Sequence, residues 1–293
     1  MTLTPASTTQ TPRGEGVVLR PSKGKVIAVT SGKGGVGKTF LSANLAAALT
    51  RRGLKVLVLD ADLGLANLDV VLNLYPKLTL HDVFTGKATL EDAILKAPGG
   101  FSVLLAGSGM VEYSRLTPEV REDFLKLMAD VVPRYDVVLL DTGAGISDVV
   151  LFALSLASEI VLVATPEPTS LTDAYATIKV LATQQQRQQV RLVVNQAQRP
   201  GDGKAITNQL QAVLNRFLGQ SAARLNAVET GRTLSPLIRL VHMGDVPVDN
   251  AVKEAVMRRQ LLLVHTPSSP AGLAVAQIAG RLVDTVIQPE DRA

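Results

Sequence analysis

Short apolar runs alternate with segments of helical period along most of the chain. The runs that predict strands are Val26–Thr30, Lys55–Leu59, Ser102–Ala106, Asp136–Leu140, Ile160–Ala164, Arg191–Asn195 and Ile238–Met243. The segments that predict helices are Ala43–Arg51, Pro118–Val131, Asp148–Ala157, Leu171–Thr183, Ala205–Phe217, Ala251–Arg259 and Leu273–Ile287. Strand–helix alternation of this kind predicts an α/β fold, a doubly wound and mostly parallel sheet with helices on both faces. Ligands of such folds bind at the carboxyl edge of the strands.

The two ends of the chain differ from this alternating region. Residues 1–24 are rich in Thr, Ser, Pro and Gly and lack a long apolar run, which predicts a disordered tail rather than a signal peptide. Residues 25–288 predict one domain, and residues 289–293 a short second tail. No segment reaches the roughly 18 uninterrupted apolar residues of a membrane-spanning helix. We therefore expect a soluble or at most peripheral protein.

Composition excludes several kinds of chemistry. The chain has 293 residues and no cysteine, which rules out disulfides, thiolate catalysis and metal clusters held by its own thiolates. His81, His242 and His265 are scattered without ligand spacing, so they do not predict a metal site. The net charge of +4 is modest, its basic residues are spread out, and aromatic residues make up 3%. These features give no nucleic-acid signature.

One loop carries most of the candidate chemistry. Gly32, Gly37, Lys38 and Thr39 fit the pattern G-x-x-x-x-G-K-[ST], after a predicted strand and before a helix over Phe40 to Arg52. In such a loop the backbone N–H groups surround the phosphates, the lysine reaches the β and γ oxygens, and the hydroxyl binds Mg²⁺. The residues that we expect to contact ATP here are Gly32, Lys33, Gly34, Gly35, Val36, Gly37, Lys38, Thr39 and Phe40.

Two carboxylates follow predicted strands at the edge where the phosphates would lie. Asp141 comes after four apolar residues, which suits an aspartate that supports Mg²⁺ through its ligands rather than directly. Asp62 follows the second predicted strand and is a candidate for orienting the attacking water. Both could instead cap turns or helices, where Asp is common.

These segments together resemble the MinD/ParA ATPases. Gly32 to Thr39, with its extra Lys33, resembles the deviant phosphate loop that distinguishes this family, and the resemblance extends from Lys25 over nearly the whole chain. Residues 60–69 resemble the switch I segment of the family, and Asp141 to Ser147 its switch II. Asp141 to Ser147 and Thr165 to Ala176 are most similar to the FlhG (FleN) branch, whose members regulate flagellar number and placement.

The resemblance implies a role for each matched residue. Lys38 would hold the β and γ phosphates, Thr39 would bind Mg²⁺, Asp141 would support that ion and Asp62 would position water. Lys33 would reach the nucleotide of a second copy across a dimer interface, the same use of a cation as an arginine finger; the alternative is a solvated loop lysine.

Two further positions resemble the family's adenine contacts. Asn195 ends the sixth predicted strand and resembles a base-reading asparagine, and Pro247, Val248 and Asp249 resemble the loop that closes over the base. Ordinary turn chemistry is the alternative for both.

The implied function is that of a Mg²⁺-dependent ATPase that hydrolyses ATP slowly, forms a homodimer with ATP and regulates flagellar assembly from the cytoplasm. The resemblance implies as partners a FlhF-type GTPase, a FleQ-like transcriptional activator or flagellar switch-ring proteins. A MinD-type regulator of the division site and a ParA-type DNA-partition ATPase remain alternatives with the same site. Residues 1–24 lack the Asp-Gln-Ala motif that accompanies stimulation of FlhF in this branch, so the resemblance does not imply that this chain stimulates FlhF.

The last predicted helix bears on attachment to the membrane or cell pole. Val275, Ile278, Leu282 and Val286 form an apolar stripe, with Arg281 as nearly the only cation, whereas a helix that lies on a membrane is rich in Lys and Arg. We expect this helix to pack against the domain, with peripheral membrane contact as the alternative.

Overall fold

An eight-stranded sheet forms the centre of the computed structural model, which describes residues 24–63, 67–107, 115–226 and 238–287. The strands are β1 Lys25–Ser31, β2 Val56–Ala61, β3 Ile94–Lys96, β4 Ser102–Leu104, β5 Val137–Ala144, β6 Glu159–Ala164, β7 Gln189–Ala197 and β8 Arg239–Pro247. Their order across the sheet is β3-β4-β2-β5-β1-β6-β7-β8. All neighbouring pairs are parallel except β3 with β4. The predicted doubly wound fold is confirmed.

Helices cover both faces of this sheet. They are α1 Lys38–Thr50, α2 Leu68–Leu72, α3 Leu80–Phe84, α4 Leu90–Ala93, α5 Pro118–Val131, α6 Asp148–Leu156, α7 Pro168–Gln184, α8 Asp202–Asn226, α9 Asn250–Met257, α10 Leu262–His265 and α11 Pro270–Leu282. Each predicted strand and helix is found with its ends moved by a few residues, except that α8 continues beyond the predicted Phe217 to Asn226. The elements that the pattern missed are β3, α2, α3, α4 and α10, which have three to five residues and are too short to show a period.

The core lies on both faces of the sheet, which explains why the strands are apolar throughout. In β1, Ala28 packs into the cluster that α5, α6 and α7 cover, and Ile27 and Val29 pack into the cluster beneath α1 and α11. Strands buried on both sides are held rigidly. The carboxyl ends of β1, β2 and β5 therefore form a fixed platform for the residues that follow them.

The C-terminal helix packs against the domain, as predicted. Val275, Ile278, Leu282 and Val286 are buried, and α11 lies on β8 and α1 before ending in a π-helical turn, Val283–Ile287. By length and composition alone residues 270–287 could cross a membrane. Their apolar stripe is used in the core instead, so this test is weak evidence for a membrane span.

The predicted tails at 1–24 and 289–293 lie outside the described residues, apart from Gly24. So do residues 64–66 within the switch I segment. The single-domain prediction for 25–288 stays a prediction.

Candidate functional site

The phosphate loop joins β1 to α1 in a conformation that its glycines permit. Gly37 immediately precedes α1 at φ 93°, a left-handed conformation that few side chains adopt. Gly32 touches the backbone of α7 so closely that an added Cβ would lie 2.2 Å from the carbonyl carbon of Asp173. The loop therefore leaves its N–H groups at the N-terminus of α1, where the helix dipole favours an anion.

Asn195 fastens the loop from the other side. Its Nδ2 donates a hydrogen bond of 2.7 Å to the carbonyl oxygen of Val36, and an added Cβ on Gly37 would lie 2.3 Å from the same nitrogen. Asn195 thus lies beside the phosphate loop, and its contact with the base stays a prediction. In this structure its amide holds the phosphate loop.

Asp141 is the buried acid of the site. It ends the apolar part of β5 and accepts a hydrogen bond of 2.8 Å from Ser42 Oγ, one turn into α1. Burial raises the pKa of Asp141 to about 6, although hydrogen bonds from Ser42 and Thr39 and the charge of Lys38 counter the shift. The Ser42 contact was not predicted, but its spacing from Thr39 puts both hydroxyls on one face of α1.

A second buried acid stands beside it. Asp60 pairs with Asp141 across neighbouring strands, and its Oδ1 accepts a hydrogen bond from the Asp62 amide. Burial, together with the negative charge of Asp141, raises the pKa of Asp60 well above its usual value. Asp60 Oδ2 is buried without a hydrogen-bond partner in the part of the chain that the structure describes. The two neighbouring acids therefore favour a positively charged group beside them.

Lys38 supplies part of that charge. Burial lowers the pKa of Lys38, and the charges of Asp141 and Asp62 oppose that shift, so the three groups form one electrostatic cluster. Asp62 lies against switch II, since an added Cβ on Gly143 would be 3.3 Å from Asp62 Oδ1. The predicted phosphate lysine, water-positioning acid and metal-supporting acid are therefore brought together.

Lys33 points toward α7. Its Nζ lies 2.8 Å from Glu167 Oε2 and 3.0 Å from Thr169 Oγ1, both of the same chain. Its side chain is 37% exposed and that of Glu167 is 59% exposed. Lys33 is thus neither buried nor freely solvated. It is held at the surface by two residues that sequence reasoning did not select.

Thr39 makes a contact that was also not predicted. Its hydroxyl donates a hydrogen bond of 3.1 Å to Asn67 Oδ1, at the start of α2. The candidate metal ligand is therefore linked to the switch I segment.

The loop at Pro247 to Asp249 has a structural task. Asp249 accepts hydrogen bonds from the Ala251 amide at 2.9 Å and the Ala271 amide at 3.0 Å, which ties α9 to α11. Val248, with 55% of its surface exposed, bonds through its amide to Ala197, two residues beyond Asn195. The loop lies near Asn195, and the Asp249 carboxylate serves to hold it there.

The donor set suits a hydrated Mg²⁺ ion. The Thr39 hydroxyl is a hard oxygen ligand, and the Asp141 carboxylate and the unpartnered oxygen of Asp60 can accept hydrogen bonds from metal-bound water. Mg²⁺ in nucleotide sites is held by few protein oxygens plus phosphates and water. Within the described ranges no group of three or more His, Cys, Asp or Glu side chains could hold a metal unaided. The residues fit a metal that arrives with a nucleotide.

Known proteins match this chain along most of its length. A family model described as an AAA domain matches residues 24–194. The antiactivator FleN of Pseudomonas aeruginosa is 39% identical over 258 residues, covering 88% of this chain and 86% of FleN. The flagellum site-determining protein YlxH of Helicobacter pylori is 31% identical and covers 88% of this chain and 82% of YlxH.

A solved structure extends the similarity to three dimensions. The septum site-determining protein MinD of Pyrococcus horikoshii, complexed with Mg-ADP, is 25% identical with a TM-score of 0.69. The superposition covers 92% of this chain and 100% of that one. The similarity is therefore not limited to the phosphate loop.

Proposed function

The chain belongs to the MinD/ParA family of ATPases, and we propose that it works as a switch that dimerises around Mg²⁺ and ATP. It matches FleN and YlxH over most of its length, which makes it a flagellar regulator ATPase of that branch. The observation that carries the proposed mechanism is the cluster of Lys38, Asp62 and Asp141 at one strand edge, with Lys33 held at the surface beside it.

Each residue of the cluster has a distinct task in hydrolysis. The loop amides and Lys38 would bind and orient the phosphates, Thr39 would bind the ion that arrives with them, and Asp141 would support that ion through its ligands. When bound, Mg²⁺ neutralises charge on the β and γ phosphates. Asp62, beside Gly143, orients a water molecule toward the γ phosphate. Adenine lies near Asn195 and the loop at Pro247 and Val248.

A dimer would supply a second cation to each nucleotide. Lys38 contacts the nucleotide of its own chain, whereas the exposed side chain of Lys33 can reach the nucleotide of a second copy. Charge that develops on the transferred phosphoryl oxygens would then be stabilised by the partner subunit. Hydrolysis and dimer formation thereby depend on the same ligand.

We expect Asp62→Ala to accumulate as a dimer with ATP. The substitution removes the group that orients water but leaves Lys38, Thr39 and Lys33 in place, so ATP binds and persists. Light scattering coupled to size-exclusion chromatography measures the mass with ATP and with ADP. A dimer is expected with ATP and a monomer with ADP. If both this variant and the unmodified protein stay monomeric with ATP, the dimer switch is wrong.

The partners are proposed from the FlhG branch. A FlhF-type GTPase, a FleQ-like activator or switch-ring proteins would distinguish the ATP-bound dimer from the ADP-bound monomer by differential affinity. We propose a cytoplasmic location with peripheral contact at the membrane or cell pole. That contact would need a partner or a segment other than α11, whose apolar stripe is buried.

Deleting the gene is expected to change flagellar number or placement. Complementation with the unmodified gene should restore the normal pattern, whereas Lys38→Ala, which loses the phosphate lysine, should not. Electron microscopy of single cells measures both properties. Normal flagella with misplaced septa would instead favour a MinD-type role. DNA binding that weakens steeply with salt would favour a partition role.

A further inference from the structure

The carboxyl end of β7 departs from a regular strand at Gln196. The residues on either side of it pair with Val246 and Pro247, which are consecutive in β8, so Gln196 is an extra residue in a β-bulge. It has φ 58°, in the left-handed region that residues other than Gly seldom adopt. Bulges and strained residues of this kind recur beside ligand sites, where they redirect a side chain.

The bulge leaves the Gln196 side chain outside the core. Its neighbours Asn195 and Ala197 are 8% and 4% exposed, whereas Gln196 is exposed. A glutamine amide both donates and accepts hydrogen bonds. The bulge therefore presents such an amide at the carboxyl edge of the sheet, the edge where ligands of this fold bind.

Two parts of the proposed nucleotide site flank Gln196. On one side Asn195 holds the phosphate loop through its hydrogen bond to Val36. On the other side the Val248 amide donates a hydrogen bond of 3.0 Å to the carbonyl oxygen of Ala197, which brings the loop expected to close over adenine beside the bulge. Gln196 thus lies between the phosphate loop and the expected base loop.

Asn195 has limited freedom to read a base placed there. One N–H of its amide is bonded to the carbonyl oxygen of Val36, which fixes the direction in which the amide faces, and its side chain is buried. Gln196 carries the same kind of amide on a longer and exposed side chain. A base between the two loops therefore meets a second amide that can turn toward it.

We propose that Gln196 is a specificity-determining residue that selects adenine over guanine. This inference rests on the proposed ATP site. A glutamine amide matches adenine in a bidentate manner, because it accepts from the N6 amino group and donates to N7. Guanine presents two acceptors, O6 and N7, at the same positions, so the Gln196 oxygen would face another oxygen. Selectivity then comes as much from rejecting guanine as from binding adenine.

Gln196→Gly tests this role without straining the backbone, because Gly adopts φ 58° at no steric cost. Competition of unlabelled ATP and GTP against a fluorescent ADP analogue, with Mg²⁺ present, gives the ratio of the two affinities. The parent should prefer ATP, and Gln196→Gly should reduce that preference about tenfold, as expected for loss of a bidentate contact to a base. Its melting temperature should not fall, which separates lost recognition from lost folding.

A modified nucleotide and a second substitution test the assigned atoms. 7-Deaza-ATP lacks N7, so the parent should bind it about fivefold more weakly than ATP, the effect of one hydrogen bond. Gln196→Gly should bind 7-deaza-ATP and ATP equally. Gln196→Met keeps the length of the side chain but removes its amide, and it should lose the preference for ATP as Gln196→Gly does. If Gln196→Met keeps that preference, the side chain acts by packing and the inference is wrong.

Gln186→Gly is the matched control. Gln186 is an exposed glutamine with φ 53°, but it precedes β7 and lies at the amino edge of the sheet, away from the phosphate loop. It should keep the parent's preference for ATP. An unchanged preference in Gln196→Gly, or a parent that binds ATP and GTP equally, would overturn this inference alone. A parent that binds neither nucleotide would contradict the proposed function and this inference with it.

Discussion

Lys33→Ala is expected to bind ATP yet hydrolyse it about 1,000-fold more slowly than the unmodified protein, because cations of this type contribute about 10³ or more in other NTPases. Lys38 and the loop amides remain, so the nucleotide is still held. Lys33 is bonded to Glu167 and Thr169 in the single chain, but both charged groups are exposed. Exposed ion pairs contribute little, about 0–1 kcal/mol, so a partner's phosphate can replace Glu167.

Mixing two inactive variants distinguishes a partner's lysine from the chain's own. Lys33→Ala has an intact Asp62, and Asp62→Ala has an intact Lys33. In a mixed dimer, the site of the Lys33→Ala subunit receives Lys33 from the other subunit and regains both groups. When equal amounts mix at random, half of the dimers contain one subunit of each variant, and one of the two sites in such a dimer is complete. About a quarter of all sites should therefore become active.

The measurement is steady-state phosphate release from each variant, alone and mixed. Lys179→Ala is the control, because Lys179 is an exposed lysine of α7 outside the site. It should hydrolyse ATP normally. Absence of any recovery on mixing, with dimers present by light scattering, would show that Lys33 acts on its own nucleotide or not at all.

The sequence predicted this site where its residues lie close along the chain. The loop from Gly32 to Thr39 is contiguous, and Asp62 and Asp141 follow apolar runs whose carboxyl ends meet in a parallel sheet. Ser42 could have been found too, because it lies on the same face of α1 as Thr39.

Other contacts could not be predicted because they join distant segments. Glu167 is 134 residues from Lys33, and Asn67 is 28 residues from Thr39. Asn195 was selected for adenine, yet its bond to Val36 depends on how β7 lies beside the phosphate loop. Short elements such as α2 were not predicted for a similar reason, since tertiary packing and not a periodic pattern stabilises them.

Asp141→Asn is expected to stabilise the ligand-free protein while removing its activity. Burial raises the pKa of Asp141 from 3.8 to about 6, so between these values the folded state keeps a proton that the unfolded state loses. Stability therefore falls as pH rises through this window, and the whole loss is present above pH 6. Asn carries no charge, so the substitution should raise the free energy of unfolding at pH 7.5 by up to about 3 kcal/mol.

Urea unfolding at pH 7.5 and pH 3.5, without nucleotide, tests this sign. The gain should be large at pH 7.5 and nearly absent at pH 3.5, where Asp141 is protonated in the folded state and mostly protonated in the unfolded state. Glu254→Gln neutralises an exposed carboxylate and should change stability little at either pH.

In the Asp141→Asn protein, Mg²⁺-dependent hydrolysis should fall by about 100-fold, as for other residues that support metal ligands. A variant less stable than the parent at pH 7.5 would mean that the hydrogen bonds from Ser42 and Thr39 outweigh the cost of burying the charge. Stability gained together with activity lost would show that the buried charge is kept for the nucleotide and not for the fold.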